Sequence, residues 1–137
     1  MPRSASYTAE QVRNFPDDGN RYETVHGELL VTPAPGGRHQ WVVKRLLLAL
    51  EAYLEANGRD DLLQSPADIS WGHDTLVQPD LFVGDLTRFR ETWDLADITM
   101  LWLVIEVLSP STERSDRLVK RRLYQERHIP HYWIVDV

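Results

Sequence analysis

The chain has 137 residues, of which 42% are hydrophobic, and this is enough to build the core of one globular domain. It contains no cysteine, so disulfide frameworks, thiolate zinc sites and cysteine nucleophiles are excluded. Its formal net charge of −6 argues against a protein that coats nucleic acid by bulk electrostatic attraction. We therefore expect a single cytoplasmic domain over residues 1–137, with no secretory signal and no membrane segment.

The N-terminal segment predicts a short helix followed by a β-hairpin. Thr8 and Gln11 have the spacing of a capping box, and the helix that they begin must end before the Pro-Asp-Asp-Gly segment. Residues 22–25 and 28–31 are predicted as two strands around a His-Gly turn, in which glycine supplies a positive φ.

A long amphipathic helix and two strands follow the hairpin. The helix is predicted over residues 39–56, after a break rich in proline and glycine. Apolar residues recur along it at helical spacing and form its apolar face: Trp41, Val42, Leu46, Ala49, Leu50 and Tyr53. Residues 62–71 and 76–83 are predicted as strands on either side of a Gly-His-Asp turn.

The C-terminal part predicts a buried strand, a helix and a last strand. Residues 100–108 are apolar on both faces, as expected for the central strand of a sheet that is covered on both sides. A charged connection with a short helix precedes them at residues 88–99, and a helix over residues 113–127 and a strand over residues 132–135 follow. The pattern indicates one α/β domain, in which a mixed sheet is flanked by the two longer helices. The chain stops directly after the last strand, so we expect this domain to be truncated at its C-terminus.

Two acids in apolar runs indicate a metal site. Glu106 lies in the most hydrophobic run of the chain, where an unpaired charge would cost several kcal/mol, and Asp80 lies in the apolar run before it. Two carboxylates on neighbouring strands repel each other, and burial raises their pKa values further. A divalent cation such as Mg²⁺ removes both problems, since it takes oxygen ligands and needs only two acids and one backbone carbonyl from the protein.

The helix after Glu106 supplies a cation for the same place. Asp116, Lys120 and Tyr124 have the i, i+4, i+8 spacing of one helix face, so Lys120 is predicted to point at the strand end that carries Glu106. A lysine there can orient a water molecule or stabilise charge that develops on a phosphate. Three arginines fall on another side of this helix, free to meet solvent or a nucleic-acid backbone: Arg114, Arg117 and Arg121.

The chain resembles the Uma-type restriction-endonuclease-like family of the PD-(D/E)XK nuclease superfamily. The motifs that carry the resemblance are Pro79-Asp80, the segment 105–112 (Ile-Glu-Val-Leu-Ser-Pro-Ser-Thr), Lys120 with Tyr124, and the segment 132–136 (Tyr-Trp-Ile-Val-Asp). Tyr22-Glu23, Gly27-Glu28 and His39 also match, so the resemblance covers nearly the whole chain.

The resemblance implies a restriction-endonuclease-like fold and Mg²⁺- or Mn²⁺-dependent hydrolysis of nucleic-acid phosphodiesters, with DNA as the expected substrate. It implies that Asp80 and Glu106 bind the metal, helped by the carbonyl of Val107, and that Lys120 is the catalytic lysine. The superfamily usually has its lysine two residues after the second acid, where this chain has Leu108. The lysine must therefore come from the helix.

Further residues are expected to support this site. Glu23 and His39 match family positions, and Glu23 is expected to add a contact to the metal or to its ligands. Asp116 and Tyr124 share the helix face of Lys120 and are expected to contact the residues that bind the metal.

Simpler interpretations remain for each of these residues. Asp80 could bond local backbone groups, and Glu106 could form a buried ion pair with Lys120 or an arginine, without any metal. Lys120 could be a solvated helix lysine, and His39 could bond backbone at the start of its helix. The arginines could form a solvated helix face.

Two other functions stay open for the whole chain. The fold could be a catalytically silent module that binds nucleic acid or protein. An exposed strand could also pair between subunits and form a homo-oligomer.

Overall fold

The computed structural model describes residues 6–108 and 114–137, with residues 114–116 described by their backbone alone. The helices are α1 (Ala9–Arg13), α2 (Gly37–Ala56), α3 (Thr87–Thr92) and α4 (Arg114–Glu126), with a short 3-10 turn at Leu95–Asp97. The strands are β1 (Arg21–Val25), β2 (Glu28–Thr32), β3 (Leu62–Gln64), β4 (Ile69–Ser70), β5 (Leu76–Val77), β6 (Leu81–Gly84), β7 (Leu101–Leu108) and β8 (His131–Asp136). No helix in this described part has the length and apolar character that crossing a membrane requires.

The described strands form two four-stranded sheets, whereas the sequence predicts one mixed sheet. The first sheet has the order β2-β1-β5-β4 and is antiparallel throughout. The second has the order β3-β6-β7-β8 and is antiparallel except for the parallel pair of β7 and β8. A parallel pair needs a crossover connection, and α4 lies in the connection between these two strands. The interior position of β7 confirms the prediction made from its apolar sequence.

The two strands predicted over residues 62–71 and 76–83 are each divided between the sheets. β3 and β6 belong to the second sheet, and β4 and β5 belong to the first. Pro66 and Pro79 lie at the two divisions, and proline has no N–H group with which to continue a ladder. Because of the second division, Asp80 lies where the chain passes from one sheet to the other.

The second sheet lies between α2 and α4. Ile105 and Val107 of β7 share an apolar cluster with Leu54 of α2. Val104 shares a different cluster with Leu123 of α4. Since successive side chains of a strand point to opposite faces, Val104 and Glu106 face α4, whereas Ile105 and Val107 face α2.

The packed face of α2 is narrower than its sequence pattern predicts. Leu46 and Leu50 pack against the second sheet, but Trp41 and Tyr53 are 58% and 65% exposed. Trp41 lies away from the packed stripe, beside the side chain of Lys44. The prediction that these two aromatic residues belong to the core face is therefore wrong.

The local signals at the N-terminus are confirmed. Thr8 Oγ1 accepts a hydrogen bond from the Gln11 N–H at 3.1 Å, and the Gln11 side chain accepts one from the Thr8 N–H at 2.8 Å. The predicted hairpin is the antiparallel pair of β1 and β2. For the predicted helix 113–127, the first residue lies outside the described chain, and the rest matches α4 closely.

Candidate active site at the junction of the sheets

Glu106 is buried on the face of β7 that packs against α4. It is 3% exposed, and strand alternation gives its side chain the same direction as that of Val104. Glu106 Oε1 accepts a hydrogen bond from the Tyr124 hydroxyl at 3.1 Å, and Lys120 Nζ lies 3.1 Å from the same oxygen. The i, i+4 spacing on α4 therefore brings both side chains to one carboxylate, as the sequence predicts.

Lys120 lies between two carboxylates and is not a solvated helix residue. It is 7% exposed, and its Nζ lies 2.8 Å from Glu23 Oε1 and 3.1 Å from Glu106 Oε1. The other oxygen of Glu23 accepts the backbone N–H of Gln78 at 2.7 Å. Glu23 belongs to β1, so the first sheet holds one side of the lysine and the second sheet holds the other.

Asp80 faces Glu106 across the β6–β7 pair. Asp80 directly precedes the first residue of β6. When the antiparallel register is extended by this one residue, Asp80 lies opposite Glu106 of β7. Asp80 Oδ2 accepts the backbone N–H of Val107 at 2.7 Å, and His39 Nε2 lies 3.4 Å from the same oxygen. Because these partners come from β7 and α2, the interpretation that Asp80 bonds only local backbone groups is excluded.

Arg21 is a further charged member of the site, and the sequence motifs do not predict it. Its Nη2 donates to Asp80 Oδ1 at 2.8 Å and to Ser65 Oγ at 3.3 Å. Its Nη1 lies 3.9 Å from Glu106 Oε2. Arg21 and Glu23 are two residues apart on β1 and share one face of the strand, and this spacing is the signal that could have identified the arginine.

The cluster has a small excess of negative charge. When all groups are ionised, three carboxylates face two cations: Glu23, Asp80 and Glu106 against Arg21 and Lys120. Burial raises the pKa of Glu106 to about 7, against the lowering effect of Lys120. Burial alone would lower the pKa of both cations, but the carboxylates outweigh this effect and raise the two pKa values above their ordinary range. Near neutral pH both cations are therefore charged, and Glu106 is close to its titration.

Two cavities adjoin at this cluster. The narrower has a volume of about 40 Å³ and reaches Glu106 and Lys120. The wider is a cleft of about 870 Å³, within the size range of small-ligand sites, whose wall includes several cationic and amide side chains: Arg13, Asn20, Gln40, Lys44 and Gln64. Four residues line both cavities: Arg21, Pro35, His39 and Asp80. Asp80 thus lies where the two cavities meet, and Glu106 lines the narrower one.

The donor set fits a hard divalent cation. Asp80 and Glu106 offer carboxylate oxygens from neighbouring strands, and both acids already face one guanidinium group. Among the described side chains, those of residues 6–108 and 117–137, no three Asp, Glu, His or Cys residues are gathered as a metal cage. A metal here would rely on these two carboxylates, the carbonyl of Val107 and water, which suits Mg²⁺ because this ion usually retains several waters.

The predicted arginine face is only partly available. Arg117 is half-buried, and its Nη2 lies 3.5 Å from Asp136 Oδ2. Arg121 is exposed to solvent, as predicted. The side chains of Arg114 and Asp116 lie outside the described residues. Of the predicted site residues, the structure brings together Glu23, His39, Asp80, Glu106, Val107, Lys120 and Tyr124.

The two sheets and four helices of the described chain, with an acid pair and a lysine buried where the sheets meet, are typical of a restriction-endonuclease-like α/β protein. The family model described as "Uma2: Putative restriction endonuclease" matches residues 9–137, and the chain belongs to this family. This match confirms the family that the motifs predict. Among curated proteins, no sequence matches the chain.

Proposed function

We propose that this protein is a metal-dependent endonuclease that hydrolyses the phosphodiester bonds of nucleic acid. The observation that carries the proposal is the convergence of two buried carboxylates from neighbouring strands with a buried lysine: Asp80, Glu106 and Lys120. The description of the Uma2 family supports this reaction class, and it favours DNA as the substrate.

The two acids are the metal ligands in this proposal. Asp80 and Glu106 would hold Mg²⁺ or Mn²⁺, together with the carbonyl of Val107. A divalent cation bound there would polarise a phosphoryl oxygen and lower the pKa of a bound water. In the reaction, the oxygen of water forms a bond to phosphorus, one P–O ester bond breaks, and the leaving oxygen takes up a proton.

The other buried side chains position these groups. Lys120 orients the attacking water or stabilises the charge that develops on the phosphate, and Glu23 holds its Nζ in place at 2.8 Å. Tyr124 fixes one oxygen of Glu106 by a hydrogen bond. His39 contacts the other acid from the start of α2.

Calorimetric titration of Mn²⁺ tests the metal site without a choice of substrate. We expect wild-type protein to bind about one ion per chain, and we expect a folded variant that combines Asp80→Asn with Glu106→Gln to bind none. Glu55→Gln is the matched control, because Glu55 is an exposed acid on α2 and should leave binding unchanged.

Cleavage of plasmid DNA then tests the reaction. Glu106→Gln should reduce Mn²⁺-dependent cleavage at least about 100-fold, which corresponds to ~2.7 kcal/mol in the activation barrier. A chelator should abolish cleavage by the wild type. Undiminished Mn²⁺-dependent cleavage by a folded Glu106→Gln variant would show that the assignment of the acids is wrong.

A catalytically silent nuclease-fold module is the second candidate. One observation favours it: Arg21 and Lys120 already neutralise most of the charge on the acids. This candidate predicts a folded wild type that binds no Mn²⁺ and that binds nucleic acid equally well with and without a chelator.

A further inference from the structure

Arg21 occupies the position between the two acids that the proposed function assigns to a metal. Each terminal nitrogen of its guanidinium faces a different carboxylate, with Nη2 at 2.8 Å from Asp80 Oδ1 and Nη1 at 3.9 Å from Glu106 Oε2. The side chain is mostly buried, so water screens these contacts weakly. Arg21 therefore acts as the counter-ion of both acids.

The remaining atoms around Asp80 leave little freedom for a second cation. Its Oδ2 already accepts the N–H of Val107 at 2.7 Å and lies 3.4 Å from His39. Its Oδ1 is the oxygen that Arg21 holds. A divalent cation that approaches from the cleft reaches Arg21 and Asp80 together, since both residues line both cavities.

Charge favours exchange over joint occupancy. When all five groups are ionised, the cluster carries one net negative charge with Arg21 in place. A divalent cation added beside a guanidinium would bring two positive groups together in a poorly screened site, which is unfavourable by Coulomb's law. Arg21 lines the wider cleft, so its long side chain has space into which the guanidinium can move.

We propose that Arg21 is an exchangeable counter-ion that holds Asp80 and Glu106 together in the metal-free protein and that a divalent cation must displace. The inference rests on the proposed metal site. It assigns to Arg21 the role of a positioning residue that sets how tightly the site binds metal. A purely structural arginine would have the opposite signature, because its loss would loosen the acids and weaken metal binding.

Mn²⁺ titration of Arg21→Gln, without nucleic acid, tests the direction of this effect. Removal of the competing charge should tighten Mn²⁺ binding at least about tenfold, equivalent to ~1.4 kcal/mol. Arg21→Lys keeps the charge and should stay close to the wild-type affinity. Arg13→Gln is the matched control, since Arg13 lines the same cleft and donates to Ser70 instead of an acid.

A measurement on the wild type does not depend on how the variants fold. In NMR spectra of ¹⁵N-labelled protein without metal, the hydrogen bond to Asp80 should slow the exchange of the Arg21 guanidinium protons with water. Mg²⁺ should shift these N–H signals towards those of a free guanidinium. Unchanged signals at saturating Mg²⁺ would overturn the proposal. An affinity of folded Arg21→Gln for Mn²⁺ that equals or falls below the wild-type value would also overturn it.

The outcome also separates this inference from the proposed function. If Arg21→Gln binds Mn²⁺ and the wild type does not, the counter-ion role is supported. The proposed reaction is then contradicted, because it depends on metal binding by the wild type. If neither protein binds Mn²⁺, both proposals are wrong.

Discussion

Glu106 shows how a single charge is accommodated inside an apolar strand. Its neighbours on β7 are buried apolar residues, so the strand itself provides no partner for the carboxylate. The partners come from elsewhere: Lys120 and Tyr124 from α4, and Arg21 from β1. The simpler interpretation of Glu106 predicts a buried ion pair with Lys120 or an arginine, and both partners are present. Metal binding by Glu106 stays a prediction.

Removal of Lys120 should be strongly destabilising. Lys120→Met leaves Glu23 and Glu106 buried without their shared cation, and the loss of one partner from a buried ion pair costs about 3–5 kcal/mol. Urea denaturation at neutral pH measures this cost as a decrease in the free energy of unfolding. Lys44→Met is the control, because Lys44 is exposed and its loss should change stability by about 0.5 kcal/mol or less. Equal effects of the two substitutions would contradict the structure.

The raised pKa of Glu106 predicts a pH dependence with a definite sign. Its pKa is about 7 in the folded protein and 4.5 ordinarily, so the folded state binds more protons than the unfolded state between these values. Its contribution to stability is complete below pH 4.5 and is lost as the pH rises through about 7. The free energy of unfolding of the metal-free wild type, relative to that of Glu106→Gln, should therefore fall across this window. Denaturation of both proteins at several pH values measures the difference, and an opposite slope would show that the folded pKa is lowered.

At the scale of elements, two periodicities bring the site together. Alternation along β7 turns Glu106 towards α4, and the i, i+4 spacing on α4 turns Lys120 and Tyr124 towards β7. The packing of Leu123 between these two elements keeps them in contact.

Two leucines of α4 provide a matched test of this packing. Leu123 is buried, and Leu123→Ala should lower the free energy of unfolding by about 2–5 kcal/mol because it leaves a cavity next to β7. Leu118→Ala changes the same residue type on the exposed side of the helix and should cost well below this amount. Thermal denaturation of both variants makes the comparison. Similar losses would mean that α4 presents a different face to the sheet.

At the scale of the whole molecule, the candidate site joins the two sheets. Glu23 and Arg21 belong to the first sheet, and Glu106 belongs to the second. Asp80 lies in the short connection between them. A ligand of this cluster is therefore expected to stabilise both sheets together. Self-association of the chain through an exposed strand stays a prediction.

Metal addition should raise the melting temperature of the whole domain. At an Mn²⁺ concentration of about 100 times Kd, a ligand that binds only the folded state adds about 2.7 kcal/mol to the free energy of unfolding. Differential scanning calorimetry should show one transition that moves to higher temperature with Mn²⁺ and returns after chelation. The combined Asp80→Asn and Glu106→Gln variant should show no shift. A shift in that variant would place the metal elsewhere.

The signals that the sequence carries are local ones. The capping box at Thr8, the apolar run around Glu106 and the helix face of Lys120 are each contained within a few residues, so their interpretation needs no knowledge of distant partners. The family motifs have the same character, and the match over residues 9–137 confirms the family that they predict.

The assignments that failed concern partners far apart in the chain. Pro66 and Pro79 mark where the two strands break, but the sheet that each half joins depends on distant partners, and the exposure of Trp41 depends on where α2 meets the sheet. Neither is written in a local pattern, because hydrophobic periodicity identifies an apolar face without identifying the surface that covers it.

The sequence by itself determined that this chain buries two acids and supplies a lysine on a suitably spaced helix face. Only the tertiary structure decided that Arg21 stands between Asp80 and Glu106, and that Glu23 holds Lys120. The physical reason is that burying a charge demands a partner but does not specify which one. That choice is made by strand order and register, which bring groups from opposite ends of the chain within contact distance.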